Sequence, residues 1–229
     1  MQILDHGYIR LVETWGHGDF GVAEAGIIEA ARQSTQGSFR GWDRDEKLLR
    51  FLYEHKHSTP FEFAGAVIEV QAPIFVFREW HRHRTQSYNE MSARYEPLPD
   101  LYYVPSIERL MMNAGGSNKQ AGTVSGSVGL TTQYAEAFRA RRIQRCAEWQ
   151  AEYEADLANG IPKELARGGM PVEHYTRMRA SANLRNWLSF LTLRQDPAAQ
   201  WEIRQYANAL NEDILSTSFP RTLSLFNKV

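Results

Sequence analysis

The segment Arg82 to Tyr95 (Arg-His-Arg-Thr-Gln-Ser-Tyr-Asn-Glu-Met-Ser-Ala-Arg-Tyr) constrains the fold most, because almost none of it can enter a core. Its fourteen residues include three Arg, a His, a Glu, an Asn and three Ser or Thr hydroxyls, and no Lys. Burying such groups without partners is costly, so the stretch must line a surface or cleft and be held by apolar elements on either side. Arginine's planar fork suits phosphate or a planar imide bidentately. Ser87, Ser92 and loop amides add a phosphate cradle, and Asn89 and Glu90 can satisfy a heterocycle's N–H and C=O groups. The segment reads as an anion-binding loop.

The flanking elements follow from patterning. Tyr8 to Trp15 is β-branched and aromatic enough for a strand. Gly21 to Arg32 reads as a helix with Ile27, Ile28 and Ala31 inward, broken at 34–38. A second helix starts near Asp43, capped by that side chain with Glu46, and buries Leu48, Leu49, Leu52 and Tyr53. It ends around His57, since Pro60 disfavours helical geometry at Thr59. Glu62 to Ala72 alternates loosely through Phe63, Val67, Glu69 and Gln71 and reads as a strand. Pro73 suits the first turn of a short helix from Ile74 to about Arg82. Tyr95 to Val104 is extended and irregular, and 113–129 is a Gly/Ser/Asn-rich surface loop. Thr131 to Asn159 is the longest helix, with a stripe of Tyr134, Phe138, Cys146, Tyr153 and Leu157 and with Ile143 beside it; Asn159-Gly160 ends it. Pro162 to Arg167 forms one or two helical turns. Val172 to Ala182 alternates like a strand, Asn183 to Arg194 is an apolar helix, and Asp196-Pro197 starts another with Ile203, Tyr206, Ala207, Leu210 and Ile214 inward. The expected class is α+β: a mixed, mainly antiparallel sheet with several helices, in a single domain over 1–229 that carries a flexible insertion near 113–129.

Composition excludes some partners. Net charge is −1 and the pI about 6.7, so nothing pulls the whole chain toward nucleic acid or membrane. A basic site in a neutral protein fits a small anionic ligand. The single Cys146 excludes an internal disulfide and fits a reducing compartment. No apolar run approaches the ~20 residues of a membrane span, and the N-terminal residues lack signal-peptide character. The expected location is the cytoplasm.

Other motifs compete. Gly16-His17-Gly18-Asp19-Phe20-Gly21 formally matches a dinucleotide fingerprint, but no second strand ending in an acidic residue follows; a glycine-rich strand-to-helix turn is the better reading. His55/His57 and His81/His83 lack the i,i+4 spacing of helical metal pairs, and Arg82 and Arg84 oppose a cation at His83, so no metal is expected. Cys146, on an apolar stripe, reads as a buried structural thiol. More arginines lie downstream: Arg167, Arg177, Arg179, Arg185 and Arg194. Arg194 directly follows a buried run and therefore needs an anionic partner. From residue types alone, a solvated arginine loop and a single-stranded nucleic-acid patch stand as alternatives to the anion site.

The spacing Arg82-His83-Arg84, seven residues, Ser92 resembles the defining motif of flavin-dependent thymidylate synthases. The likeness continues through Ser58-Thr59-Pro60-Phe61-Glu62, Ala72-Pro73-Ile74-Phe75-Val76, Ile161 to Arg167, Asn183, and Leu193-Arg194-Gln195-Asp196 with Ala199-Gln200-Trp201-Glu202. It implies methylation of dUMP at C5, with methylenetetrahydrofolate as carbon donor and NADPH-reduced FAD as hydride source. It implies FAD contacts from Ser34, Thr59, Arg82, His83, Arg84, Glu90, Asn183, Arg185 and Ser189. dUMP would meet Glu79, Arg82, Glu90, Met91, Ser92, Ala93, Arg94, Arg167 and Arg194, with Arg194 polarising N3 and Ser92 binding rather than attacking. It also implies a homotetramer with active sites between subunits, and no nucleic-acid or membrane partner. Three positions depart from the family pattern: Glu79 where Gln is frequent, Ser189 where Asn is common, and Ala198 where His is often found.

Overall fold

Five strands form one antiparallel sheet in the order β1-β2-β3-β5-β4 in the computed structural model, which describes residues 1–17, 22–35, 37–112, 123 and 127–228. The strands are β1 (Gln2–Ile3), β2 (Gly7–Trp15), β3 (Gly65–Pro73), β4 (Ser87–Glu90) and β5 (Tyr175–Asn183). The helices are α1 (Ala25–Arg32), α2 (Trp42–Glu54), α3 (Ile74–Trp80), α4 (Ile107–Met111), α5 (Thr132–Ala158), α6 (Lys163–Ala166), α7 (Leu184–Arg194), α8 (Trp201–Ala209), α9 (Ser216–Ser218) and α10 (Pro220–Phe226). The expected class therefore holds. Antiparallel pairing of β2 with β3 is incompatible with a parallel βαβ unit. Gly16 turns the chain after β2 with φ +93, while positions 18–21 of the fingerprint lie outside the described residues.

Period-two alternation decides which sheet face is covered. On β3 the inward row is Ala66, Ile68, Val70 and Ala72; on β5 it is Met178, Ala180 and Ala182. The many alanines let helices approach closely, and Trp80, Trp187, Phe190 and Tyr206 fill the space above them. Trp187 donates its indole N–H to the Ala66 carbonyl at 3.0 Å, satisfying its one polar group. Arg10, Glu69, Arg179 and Asn89 form a cross-strand row on the opposite face. The alternation expected through Val67, Glu69 and Gln71 thus marks the polar face, and Phe63 lies before β3 and is exposed.

Several boundaries differ for physical reasons. α2 has Gly41 at its N-cap with no side-chain cap, so the Asp43/Glu46 box does not form; both follow the cap. Pro73 is the N-cap of α3, in extended geometry. α3 ends at Trp80, so Arg78 and Arg82 are not on one helix. The helix after Pro197 begins at Trp201. Residues expected to be all loop after α3 contain β4, because their backbone completes the edge of β5. On α5, Cys146 and Tyr153 are buried, but Tyr134 and Ile143 are exposed. Arg141 and Arg142 lie over the Tyr134 and Phe138 rings at 5.4 and 5.3 Å instead. The expected 113–129 loop lies outside the described residues, apart from 123 and 127–129. Among the described residues no helix is long and apolar enough to cross a membrane.

Candidate active site

Two helix C-termini converge where the site forms. α3 follows β3 and α7 follows β5, and these two strands are neighbours, so the helices lie side by side over the same sheet. Arg194, the last residue of α7, reaches the end of α3. Its Nη1 donates to Glu79 Oε2, its Nη2 to the Glu79 carbonyl and its Nε to His83 Nε2, each at 2.8 Å. The Glu79 carbonyl, at the C-terminal end of α3, also accepts from the Arg82 amide at 3.3 Å. Arg194 has a side-chain exposure of 14%, which explains why it takes a carboxylate partner.

His83 accepts from Arg194 through Nε2, so its ring proton sits on Nδ1. Burial, and then the Arg194 charge, push its pKa down to about 4. The imidazole is therefore neutral at physiological pH and packs edge-on against Phe190, with centroids 4.8 Å apart. A cavity of about 690 Å³ opens beside this node, lined by Glu79, Arg194, Ala198, Gln200 and Trp201 among others. At its far wall Glu202 accepts from Tyr103 Oη at 3.0 Å and from Arg109 Nε at 2.7 Å, and the Arg109 guanidinium lies 5.4 Å from the Trp201 ring centre.

The arginine-rich turn between α3 and β4 is pinned from inside. Tyr88 Oη donates to the His83 carbonyl at 2.7 Å, and Trp80 Nε1 donates to Gln86 Oε1 at 3.0 Å. Arg82 and Arg84 point outward and are exposed. Among the described residues, neither has a carboxylate within salt-bridge distance, and the same holds for Arg78 and Arg167. Beyond β4, Ser92 begins a tight turn in which the Tyr95 amide donates to its carbonyl at 3.0 Å. Arg94 pairs with Glu164 at 3.2 Å, and Lys163 Nζ donates to the Tyr95 carbonyl at 2.6 Å, so α6 holds this turn.

The remaining residues gather in two further places. Arg78, Glu90, Met91, Ala93 and Arg167 line a cavity of about 230 Å³. Arg185 and Ser189 line another of about 490 Å³ with Tyr53, His57, Ser58 and Phe61. Arg185 is bonded to Glu62. Asn183 caps α7, its Oδ1 accepting from the Asn186 amide at 2.9 Å, and Asn186 Nδ2 donates to the Thr85 carbonyl at 3.1 Å. That last bond joins the start of α7 to the arginine-rich turn.

The family model of thymidylate synthase complementing proteins matches residues 11–221. The chain belongs to that family. Flavin-dependent thymidylate synthases similar to it include that of Thermus thermophilus, 38% identical over 210 residues, covering 92% of this chain and 72% of the relative. That of Thermotoga neapolitana is 34% identical over 226 residues, covering 99% of this chain and 93% of the relative. A crystal structure of the UMP/dUMP methylase PolB from Streptomyces cacaoi bound with 5-Br dUMP superposes with a TM-score of 0.82 at 29% identity, covering 100% of this chain and 97% of that one. The same protein bound with 5-Br UMP gives 0.79 at 27%, covering 100% and 96%.

Of the residues the sequence singled out, Glu79, His83 and Arg194 meet directly. Glu90, Met91, Ala93 and Arg167 share one cavity, and Arg185 and Ser189 another. Thr59 begins a 3-10 turn next to Ser58 on the latter. Ser34 bonds to the Ala31 carbonyl and lines none of these three cavities. Tyr103 and Arg109, on the wall of the cavity of about 690 Å³, carried no signal in the sequence. They lie 99 and 93 residues from Glu202, and no local spacing signals that contact.

Proposed function

We infer that the protein is an FAD-dependent thymidylate synthase that methylates dUMP at C5, with methylenetetrahydrofolate as carbon donor and NADPH as reductant. Family membership gives the reaction. The site observation that supports it is an anchored Arg194 at a cavity beside a rigid turn carrying the unpaired Arg82 and Arg84. Two exposed guanidiniums without carboxylates suit a diphosphate, and the cavity at Arg185 and Ser189 has the apolar walls and polar rim that a flavin dinucleotide requires. The flavin supplies the redox step.

In this reading Arg82 and Arg84 take the FAD diphosphate, with Thr59, Arg185, Ser189, Asn183, Ser34 and Glu90 as further contacts. His83 keeps its Nδ1–H edge for the flavin while Nε2 holds Arg194. Arg167, Arg94 and Ser92 hold the dUMP phosphate, with Met91 and Ala93 beside it. Glu79 and Arg194 face the pyrimidine. The assignments fall around three cavities of one chain, which supports a homotetramer whose sites are completed between subunits. The whole chain acts as one domain in the cytoplasm. The deciding experiment measures dTMP formation from dUMP with FAD, NADPH and methylenetetrahydrofolate. UMP is run alongside, because the similar PolB structures hold 5-bromo derivatives of both nucleotides. Product from neither nucleotide, with flavin bound, would overturn the reading.

A further inference from the structure

All three nitrogens of the Arg194 guanidinium are committed to acceptors of its own chain. Of its five N–H groups, one on each Nη is left to face a ligand, and a guanidinium cannot take up a proton. C5 of a pyrimidine attacks an electrophilic carbon by giving up its π pair, which places positive charge on N1 and C6. A guanidinium alone beside that ring opposes the charge. The charge is relieved when the N3–H proton leaves, and that proton requires an acceptor.

Among the described residues, the groups facing the cavity leave one candidate. Glu202 is 4% exposed and already receives Tyr103 and both Nε and Nη2 of Arg109. Tyr103 is a donor to that carboxylate, and burial pushes its pKa up. Arg109 is a cation. His83 uses its Nε2 lone pair on Arg194. Glu79 is 43% exposed at its side chain, lines the cavity, and stands 2.8 Å from Arg194.

We propose that Glu79 accepts the N3 proton of the bound uracil while Arg194 donates to the neighbouring carbonyl oxygen. The proposal rests on the reading of the protein as a dUMP methylase. As the C5–carbon bond forms from the C5=C6 π pair, the donor's methylene carbon gives up one carbon–nitrogen bond pair to the donor nitrogen, and the N3–H bond breaks. Its electron pair returns to the ring, and the proton passes to a Glu79 oxygen. The ring stays neutral, and Arg194, no longer facing a carboxylate, keeps its charge for the carbonyl oxygen.

The test compares kcat for dTMP formation across pH in the flavin-loaded wild type and in Glu79→Gln, with dUMP binding followed through the flavin spectrum. We expect Glu79→Gln to bind dUMP and to lose about 10²–10⁴-fold in kcat near neutrality, the range for a missing general base. The loss should shrink by about tenfold per pH unit as solution base replaces the carboxylate. Glu79→Ala should recover activity with added formate, and this second variant serves if the first does not load flavin. A Glu79→Gln rate within tenfold of wild type, or a loss equal at every pH and untouched by formate, overturns the proposal. A wild type that makes no dTMP overturns the functional reading instead.

Discussion

A guanidinium held at three points has little freedom to swing, and Arg194 is held by a carboxylate, a carbonyl and a neutral imidazole. Lysine offers a point charge without the fork, so Arg194→Lys should lose at least about 10²-fold in kcat, and Arg194→Ala should abolish dTMP formation while flavin stays bound. Survival of activity in the alanine variant would show that N3 is polarised elsewhere. His83 carries a sign that can be checked. Its folded pKa of about 4 lies below the ordinary 6.5, so the unfolded chain binds the extra proton first as pH falls. His83 therefore removes stability progressively between about pH 6.5 and 4. Urea midpoints at pH 7.5 and 5 should differ more in the wild type than in His83→Gln. Cys146 is the residue to exclude as nucleophile: burial pushes its thiol pKa up, the reverse of an activated thiolate. Cys146→Ala should keep its turnover within a few-fold, and a dead variant would reopen covalent catalysis.

At the scale of elements, the site depends on α3 and α7 being set down side by side by neighbouring strands. Tyr88, Gln86 and Asn186 then fasten the arginine-rich turn to them. Elsewhere a buried carboxylate does similar work for the C-terminal helix. Glu24 is fully buried and accepts from the Thr222 amide at 2.6 Å and the Arg221 amide at 3.3 Å, capping α10, while Arg221 lies 4.2 Å over the Trp42 ring. Glu24→Ala strands those amides and should cost about 1–3 kcal/mol in chemical denaturation. A smaller loss would mean that water reaches the α10 N-terminus.

For the whole molecule, the sheet has one face packed by helices and one polar face on which the exposed Arg10 and Arg179 cover the buried Glu69. α5 likewise shows Tyr134 and Ile143 outward. Such surfaces suit assembly, and light scattering of the flavin-loaded protein should report four chains. A monomer that turns over dUMP would remove the shared-site reading. Purified protein should turn yellow with FAD, and dUMP should then perturb the flavin spectrum. No response would separate the two ligands in space.

The sequence by itself determined the chemistry of this protein. The spacing from Arg82 to Ser92 is covalent, and strand and helix periods survive in any context, so β2, β5, α5 and α7 were legible. Even the need of Arg194 for an anion followed from the apolar run before it. Tertiary structure decided what lies far apart in the chain. It chose Glu79 and His83 as the partners of Arg194, across 115 and 111 residues. It made Ser87–Glu90 a strand, because a polar segment pairs only when a neighbouring backbone leaves an edge to complete. It also left α5 partly bare, since periodicity tells which residues share a face but not whether anything packs on it.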